Sequence, residues 1–130
     1  MFTDYQYSRY QRVNPSGVLS ASATASVVAV PGTPKMAVFI QRIAVAITTP
    51  ATANLQFIDS TTSQSIFTAV GTPSIGAQEV DFGPEGLELT TGAGLVVLGT
   101  ASGIAGSWHV EGYRRPAAGQ ALTLEEFKEA

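Results

Sequence analysis

Cysteine is absent from all 130 residues. Its absence excludes a disulfide framework, a thiol nucleophile and any thiolate metal site. Charge is scarce too: Asp, Glu, Lys and Arg make up 13% of the chain, about half the usual share. A soluble monomer relies on charge for solubility and to keep its sheet edges apart. A chain this poor in charge is expected to cover much of its surface with neighbouring subunits. Basic residues are missing altogether from 43–113, where Asp59, Glu79, Asp81, Glu85, Glu88 and Glu111 leave a net charge of −6. Residues 1–42 carry Arg9, Arg12, Lys35 and Arg42 against Asp4, a net of +3. A basic arm on an acidic body favours attraction between copies, or to an acidic partner. It argues against nucleic acid, which requires a basic face on the folded body.

Histidine is nearly absent, so a histidine-based metal set or a second imidazole is excluded. The one present, His109, alternates with Trp108 and Val110 and shares a face with Ser107 and Glu111, which reads as a solvated strand face. Residues 89–110 are free of Lys, Arg, Asp and Glu over 22 positions, long enough to span a bilayer. Five glycines and several hydroxyl residues interrupt that run, and no membrane span is expected from it. Asp4 and Arg9 break the charged-then-apolar plan of a secretory leader, and none is expected.

Catalytic motifs are missing as well. "DFG" at 81–83 lacks the catalytic and Gly-rich loops of a kinase, and "GAGLVVLG" at 92–99 has neither the spacing nor the following helix of a dinucleotide site. "NPS" at 14–16 is barred from glycosylation by its proline. Glu79 and Asp81 share a strand face at about 7 Å, a carboxylate spacing used in hydrolysis. No Arg, Tyr or His stands near them in sequence to tune them. The expectation is therefore no enzyme, no catalytic residue, no cofactor and no metal.

What is present is period-two alternation. "MAVFIQRIAVAIT" (36–48) places Phe39, Gln41, Ile43, Val45 and Ile47 on one face and Val38, Ile40, Arg42, Ala44 and Ala46 on the other. Both faces are largely apolar, so one is core and the other is covered. "NPSG" (14–17) reads as a type I turn. A flat strand of small residues over 16–30 follows, then runs at 53–59, 65–70, 77–82, 87–90, 94–100 and 106–113. Gly83-Pro84-Glu85-Gly86 and Gly92-Ala93-Gly94 separate them. Short strands at this spacing predict an all-β, antiparallel sandwich of jelly-roll type, with Phe39, Ile43, Val45, Ile47, Leu55, Phe57, Val97 and Trp108 in or beside its core.

The domain plan is an extended arm at 1–15, the sandwich at 16–116, and a linker with a short helix at 117–130. Thr123 and Glu126 form a capping box there, and Leu122 and Phe127 a hydrophobic staple. Two turns are unstable alone in water, so this helix must dock through Leu124 and Phe127. The arm places Phe2, Tyr5, Tyr7 and Tyr10, four of the chain's eleven Phe, Tyr and Trp residues, in its first ten positions. Burying four such rings gains about 6–12 kcal/mol. Ordering thirteen residues costs about 13–26 kcal/mol. The rings alone cannot fix the arm, so backbone pairing with a sheet edge is needed. Residues 1–13 are thus expected to clasp another chain, with Phe2, Tyr5, Tyr7 and Tyr10 as anchors and Arg9 and Arg12 against its carboxylates. Deleting 2–12 is expected to abolish attachment and leave the sandwich folded.

"IQRIAVAITTPATANLQFIDS", "VDFGPEGLELTTGAGLVVLG" and "GSWHVEGYRRP" together resemble small virion proteins of tailed bacteriophages, in particular the capsid decoration or cement class. The resemblance spans 36–116 and rests on a long strand, a Gly-Pro-x-Gly turn, a Gly-rich strand pair and a final Gly-Tyr-Arg. It implies a β-sandwich bound as a dimer or trimer to the capsid exterior, contacting the major capsid protein or another virion protein. The protein would be made in the host cytoplasm and would stabilise the head against internal DNA pressure. The arm and tail helix lie outside the resemblance. The alternative is a tail- or fibre-associated attachment module, which calls for aromatic loops where this chain has Ser, Thr, Gly and Ala.

Overall fold

The structure is a computed structural model and describes residues 11–19, 24–31, 35–50, 53–71, 77–100 and 104–117. Phe2, Tyr5, Tyr7, Arg9 and Tyr10 of the arm, and the expected helix with Leu124 and Phe127, lie outside the described residues. Within them the strands are β1 (Gln11–Val13), β2 (Ser16–Leu19), β3 (Thr24–Val28), β4 (Met36–Thr49), β5 (Asn54–Asp59), β6 (Ser65–Val70), β7 (Ala77–Asp81), β8 (Leu87–Glu88), β9 (Leu95–Gly99) and β10 (Ala105–Pro116). Every pairing is antiparallel, and no described residue is helical.

Two pairs of these strands are single strands with an interruption. Val13 lies opposite Gly112 and Ser16 opposite His109, so β1 and β2 follow β10 in one unbroken register. The expected reversal at "NPSG" does not occur. Pro15 lacks the N–H that a ladder needs and is tolerated because this strand is at a sheet edge; its carbonyl still accepts from Val110 N–H at 2.9 Å. β7 and β8 likewise run in one direction along β4, the Gly83–Gly86 turn looping out between them. The expected flat strand over 16–30 is instead two strands, β2 in the larger sheet and β3 in the smaller.

The larger sheet has the order β1-β10-β4-β7, with β2 also on β10 and β8 also on β4; the smaller is β3-β9-β5-β6. Counted as eight strands, these orders are first-eighth-third-sixth and second-seventh-fourth-fifth. One apolar cluster joins the layers: Ile43, Val45, Trp108 and Val110 from the larger sheet meet Leu55, Phe57, Leu95 and Val97 from the smaller. Their alternation was readable in the sequence, that of Trp108 and Val110 opposite His109 included.

Phe39 departs from the expected face. Across from β10, Arg42 pairs with Glu111 but Ile40 with Gly112, which leaves Gln41 as an extra residue in β4. Such a bulge shifts the phase by one. Val38 and Ile40 therefore join Ile43 and Val45 in the core, and Phe39 turns outward with Ala37. There it stacks on Tyr113 with ring centroids 5.1 Å apart, under the Arg115 guanidinium. Gly112 is needed at this point because a Cβ would sit 2.2 Å from the Phe39 carbonyl oxygen.

The smaller sheet contains one charged residue among its described strands, Asp59, and it is buried. Its open edge, β6, is closed without charge. The Gln78 side-chain amide reaches across to accept from Val70 N–H and donate to Val70 C=O, both at 2.8 Å. A register shift at Ile66 disrupts the other end of the same edge. Both devices blunt a strand that would otherwise template pairing.

Asp59 staples the β5–β6 turn to the segment entering β9. Its carboxylate accepts from Thr61 N–H at 2.8 Å, Thr62 N–H at 3.2 Å and Thr90 N–H at 2.8 Å. Burial pulls its pKa upward, but the bonds from Thr90, Thr61 and Thr62 together outweigh this and hold it below the ordinary carboxylate value. A depressed folded pKa gives stability that is present above the unfolded value and is lost as pH falls through the folded one. Asp59→Asn is expected to lower stability at pH 7 by about 1–3 kcal/mol. The gap to the parent should shrink below about pH 4, as the parent's own carboxylate protonates. Denaturant melts of both proteins at pH 7 and pH 3 check this.

Candidate functional site

Alternation beyond the bulge gives the larger sheet an outward face of two halves. On one half, β2 presents Ser16 and Val18, β4 presents Ala44 and Ala46, β10 presents Ser107 and His109, and β7 presents Ala77. These side chains line a shallow trough of about 540 Å³. Small residues set its depth, since no side chain larger than alanine rises from the β4 floor. Val18 is 68% exposed at its margin. Beneath the trough, Trp108 lies in the core against Gly17, where a Cβ would come 2.5 Å from the indole.

The other half is charged. Arg42 donates to Glu79 at 2.8 Å and to Glu111 at 2.5 Å, bridging β7 and β10 across its own strand. These bonds, first to Glu79 and then to Glu111, raise the guanidinium pKa. Two carboxylates share one cation, so the cluster keeps a net negative charge. His109 completes the row: its Nδ1 lies 2.8 Å from Ser16 Oγ and its Nε2 3.7 Å from Glu111. A second hollow of about 350 Å³ adjoins this cluster, lined by Arg12, Gln41, Arg42, Asp81 and Glu111 among others.

Of the residues expected to contact a partner, only Arg12 is described. It stands exposed on β1, opposite Tyr113 of the same chain. The last part of the arm therefore belongs to its own sheet, because Gln11–Val13 continue the register of β2 along β10. Glu79 and Asp81 share a face, as their spacing requires. The arginine that sequence proximity did not supply is Arg42, delivered from the neighbouring strand. Its signal was present: it is the one charged residue in a fourteen-residue apolar strand. Asp81 accepts from Gly83 N–H at 2.7 Å and so shapes the turn after β7. Among the described residues, no group of three or more His, Cys, Asp and Glu is placed to hold a metal ion. No helix among them is long and apolar enough to cross a membrane.

No protein-family model matches the chain, and no curated protein matches it. Solved structures do. A chain from the acidic stable capsid structure of Helicobacter pylori bacteriophage KHP30 matches with a TM-score of 0.54 at 13% identity, over 83% of this chain and 94% of that one. A chain from the capsid asymmetric unit of cyanophage Pam1 gives 0.49 at 14% identity, over 82% of each. A chain from disulfide-linked pili, the endospore appendages of Bacillus, gives 0.39 at 15% identity, over 82% of this chain and 89% of that one. At these identities the likeness is one of fold, and the KHP30 match carries it: the two chains share their fold over nearly the whole of the phage chain.

Proposed function

We propose that this chain is a structural virion protein of a bacteriophage, of the decoration or cement class, which binds the outer shell and stabilises the head through subunit contacts. The observation that carries the reading is the strand order. We read the first-eighth-third-sixth and second-seventh-fourth-fifth sheets as a jelly-roll plan, an architecture used by viral capsid domains. The fold shared with a chain of the KHP30 capsid structure supports the same assignment. The low charge and the apolar trough fit a surface made to be covered. In this reading the chain is not an enzyme and takes no cofactor. Its partners are the major capsid protein or another virion protein and further copies of itself, as a dimer or trimer, with neither nucleic acid nor membrane. Residues 1–10, with Phe2, Tyr5, Tyr7, Arg9 and Tyr10, and the tail residues Leu124 and Phe127 make the contacts.

The test is rebinding. Phage particles stripped of this protein, mixed with the purified chain and sedimented, are expected to recover it at a fixed number of copies per capsid and to gain thermal stability. Particles that neither bind the chain nor change their melting would count against the assignment.

A further inference from the structure

We propose that the open edge of β7, with the alanine trough beside it, is the acceptor for residues 3–9 of a second copy, which add as a strand to the larger sheet. This rests on the reading of residues 1–10 as the contact segment and names the surface that segment meets. The first support is the backbone. Phe82 N–H donates to Gln41 C=O at 2.8 Å, so at this position β7 points its polar groups toward β4. Backbone direction alternates along an antiparallel strand. Ala77, Glu79 and Asp81 therefore turn their N–H and C=O groups away from β4, and all three are exposed. No described strand pairs with that side.

The second support is matching spacing and charge. Tyr5, Tyr7 and Arg9 recur at intervals of two, as do Ala77, Glu79 and Asp81, and both sets of side chains would fall on the outward face. The tyrosine rings then lie over the trough, where Ala44, Ala46 and Ala77 leave room for them. The arginine meets a carboxylate edge whose cluster has one cation for two anions. The same carboxylates select against the wrong partner: two β7 edges brought together would oppose like charges, which destabilises a strand pair.

The third support is geometry, which makes the contact intermolecular. The described chain begins at Gln11, opposite Arg114, on the edge of the sheet farthest from β7. β1 runs from Arg114 toward Gly112, so the point at which the ten preceding residues join the sheet is the end of β1 away from the trough. Extended, they reach about 34 Å. Reaching their own β7 would require reversing and crossing three strand spacings, roughly 14 Å. A neighbour's β7 needs no reversal. Joining one edge to the opposite edge of the next copy is a head-to-tail contact, which closes into a ring when the rotation permits.

The chain's lack of cysteine allows a direct test with full-length protein. Tyr7→Cys and Tyr5→Cys proteins are each mixed with Glu79→Cys protein under mild oxidation. Facing residues on adjacent strands lie within disulfide reach. A heterodimer is expected in at least tenfold greater yield than with Thr68→Cys, on the blunted β6 edge. Equal yields, no heterodimer from either arm variant, or a cross-link formed within single chains of a Tyr7→Cys/Glu79→Cys double variant would each overturn the proposal. Ala77→Pro gives a second reading. Its lost N–H faces the open edge, where proline is tolerated, so the fold should persist by circular dichroism while self-association weakens at least tenfold. Unchanged association would overturn the proposal. Because these readouts use only copies of the chain, they stand apart from particle rebinding: cross-linking without rebinding contradicts the virion role alone.

Discussion

Removing residues 2–10 is expected to leave a folded body that no longer attaches to the phage particle proposed as its partner. The cut spares β1, whose pairing with Arg114, Tyr113 and Gly112 of β10 is part of the body's own sheet. A cut extended through Arg12 would remove most of that pairing and confuse attachment with folding, so 2–10 replaces 2–12 as the informative deletion. The expected loss is large because the four aromatics proposed as anchors go together. Tyrosine buries its ring while its hydroxyl keeps a hydrogen-bond partner. Interface anchors of this kind often cost about 2 kcal/mol or more each on truncation. Losing two of them already lowers affinity more than about a hundredfold. The measurement pairs thermal unfolding with rebinding to stripped particles. An unaltered transition with lost binding is the expected result. A collapsed transition would show that the arm folds on its own body, and unchanged binding would remove the arm from the contact.

Phe57→Ala is expected to bring the body close to unfolding. Phe57 is wholly buried on β5, with Phe67 of β6 opposite on one side and Val97 of β9 on the other. Its ring lies 6.1 Å from that of Phe67 and belongs to the cluster that joins the two layers. Truncating a buried phenylalanine costs about 3–5 kcal/mol, the lost transfer energy plus the cavity left behind. Domains of this size have roughly 5–15 kcal/mol in total. The thermal midpoint should fall by roughly 10–20 °C. Phe57→Leu, which leaves a smaller cavity, should lose clearly less. Equal losses for the two variants would mean that the ring's volume is not what holds the layers together.

The alternation of β5, β9 and most of β10 was legible because a strand with one buried face must place apolar residues two apart, and nothing in those segments interrupts it. Phe39 was misplaced because the residues before the bulge at Gln41, 36–40, are all apolar, so either phase satisfies the pattern there. "NPSG" misled for a related reason. Its residues suit a turn, but whether Pro15 reverses the chain or merely interrupts a strand depends on whether that strand lies at an edge, which is a property of the whole sheet. The Arg42, Glu79 and Glu111 cluster could not be assembled from the sequence, since its members lie 37 and 69 residues apart. The trough was half visible: the small residues of β4 were evident, but not that Ser107 and Ala77 would flank them.

The most direct measurement is an electron cryo-microscopy reconstruction of a phage particle proposed to carry this chain. The expected density is a two-sheet body on the outer surface of the shell, its larger sheet extended at β7 by a strand from an adjacent copy and its apolar trough covered. A particle whose outer shell lacks this body, or one that carries it only on the tail, would contradict the assignment.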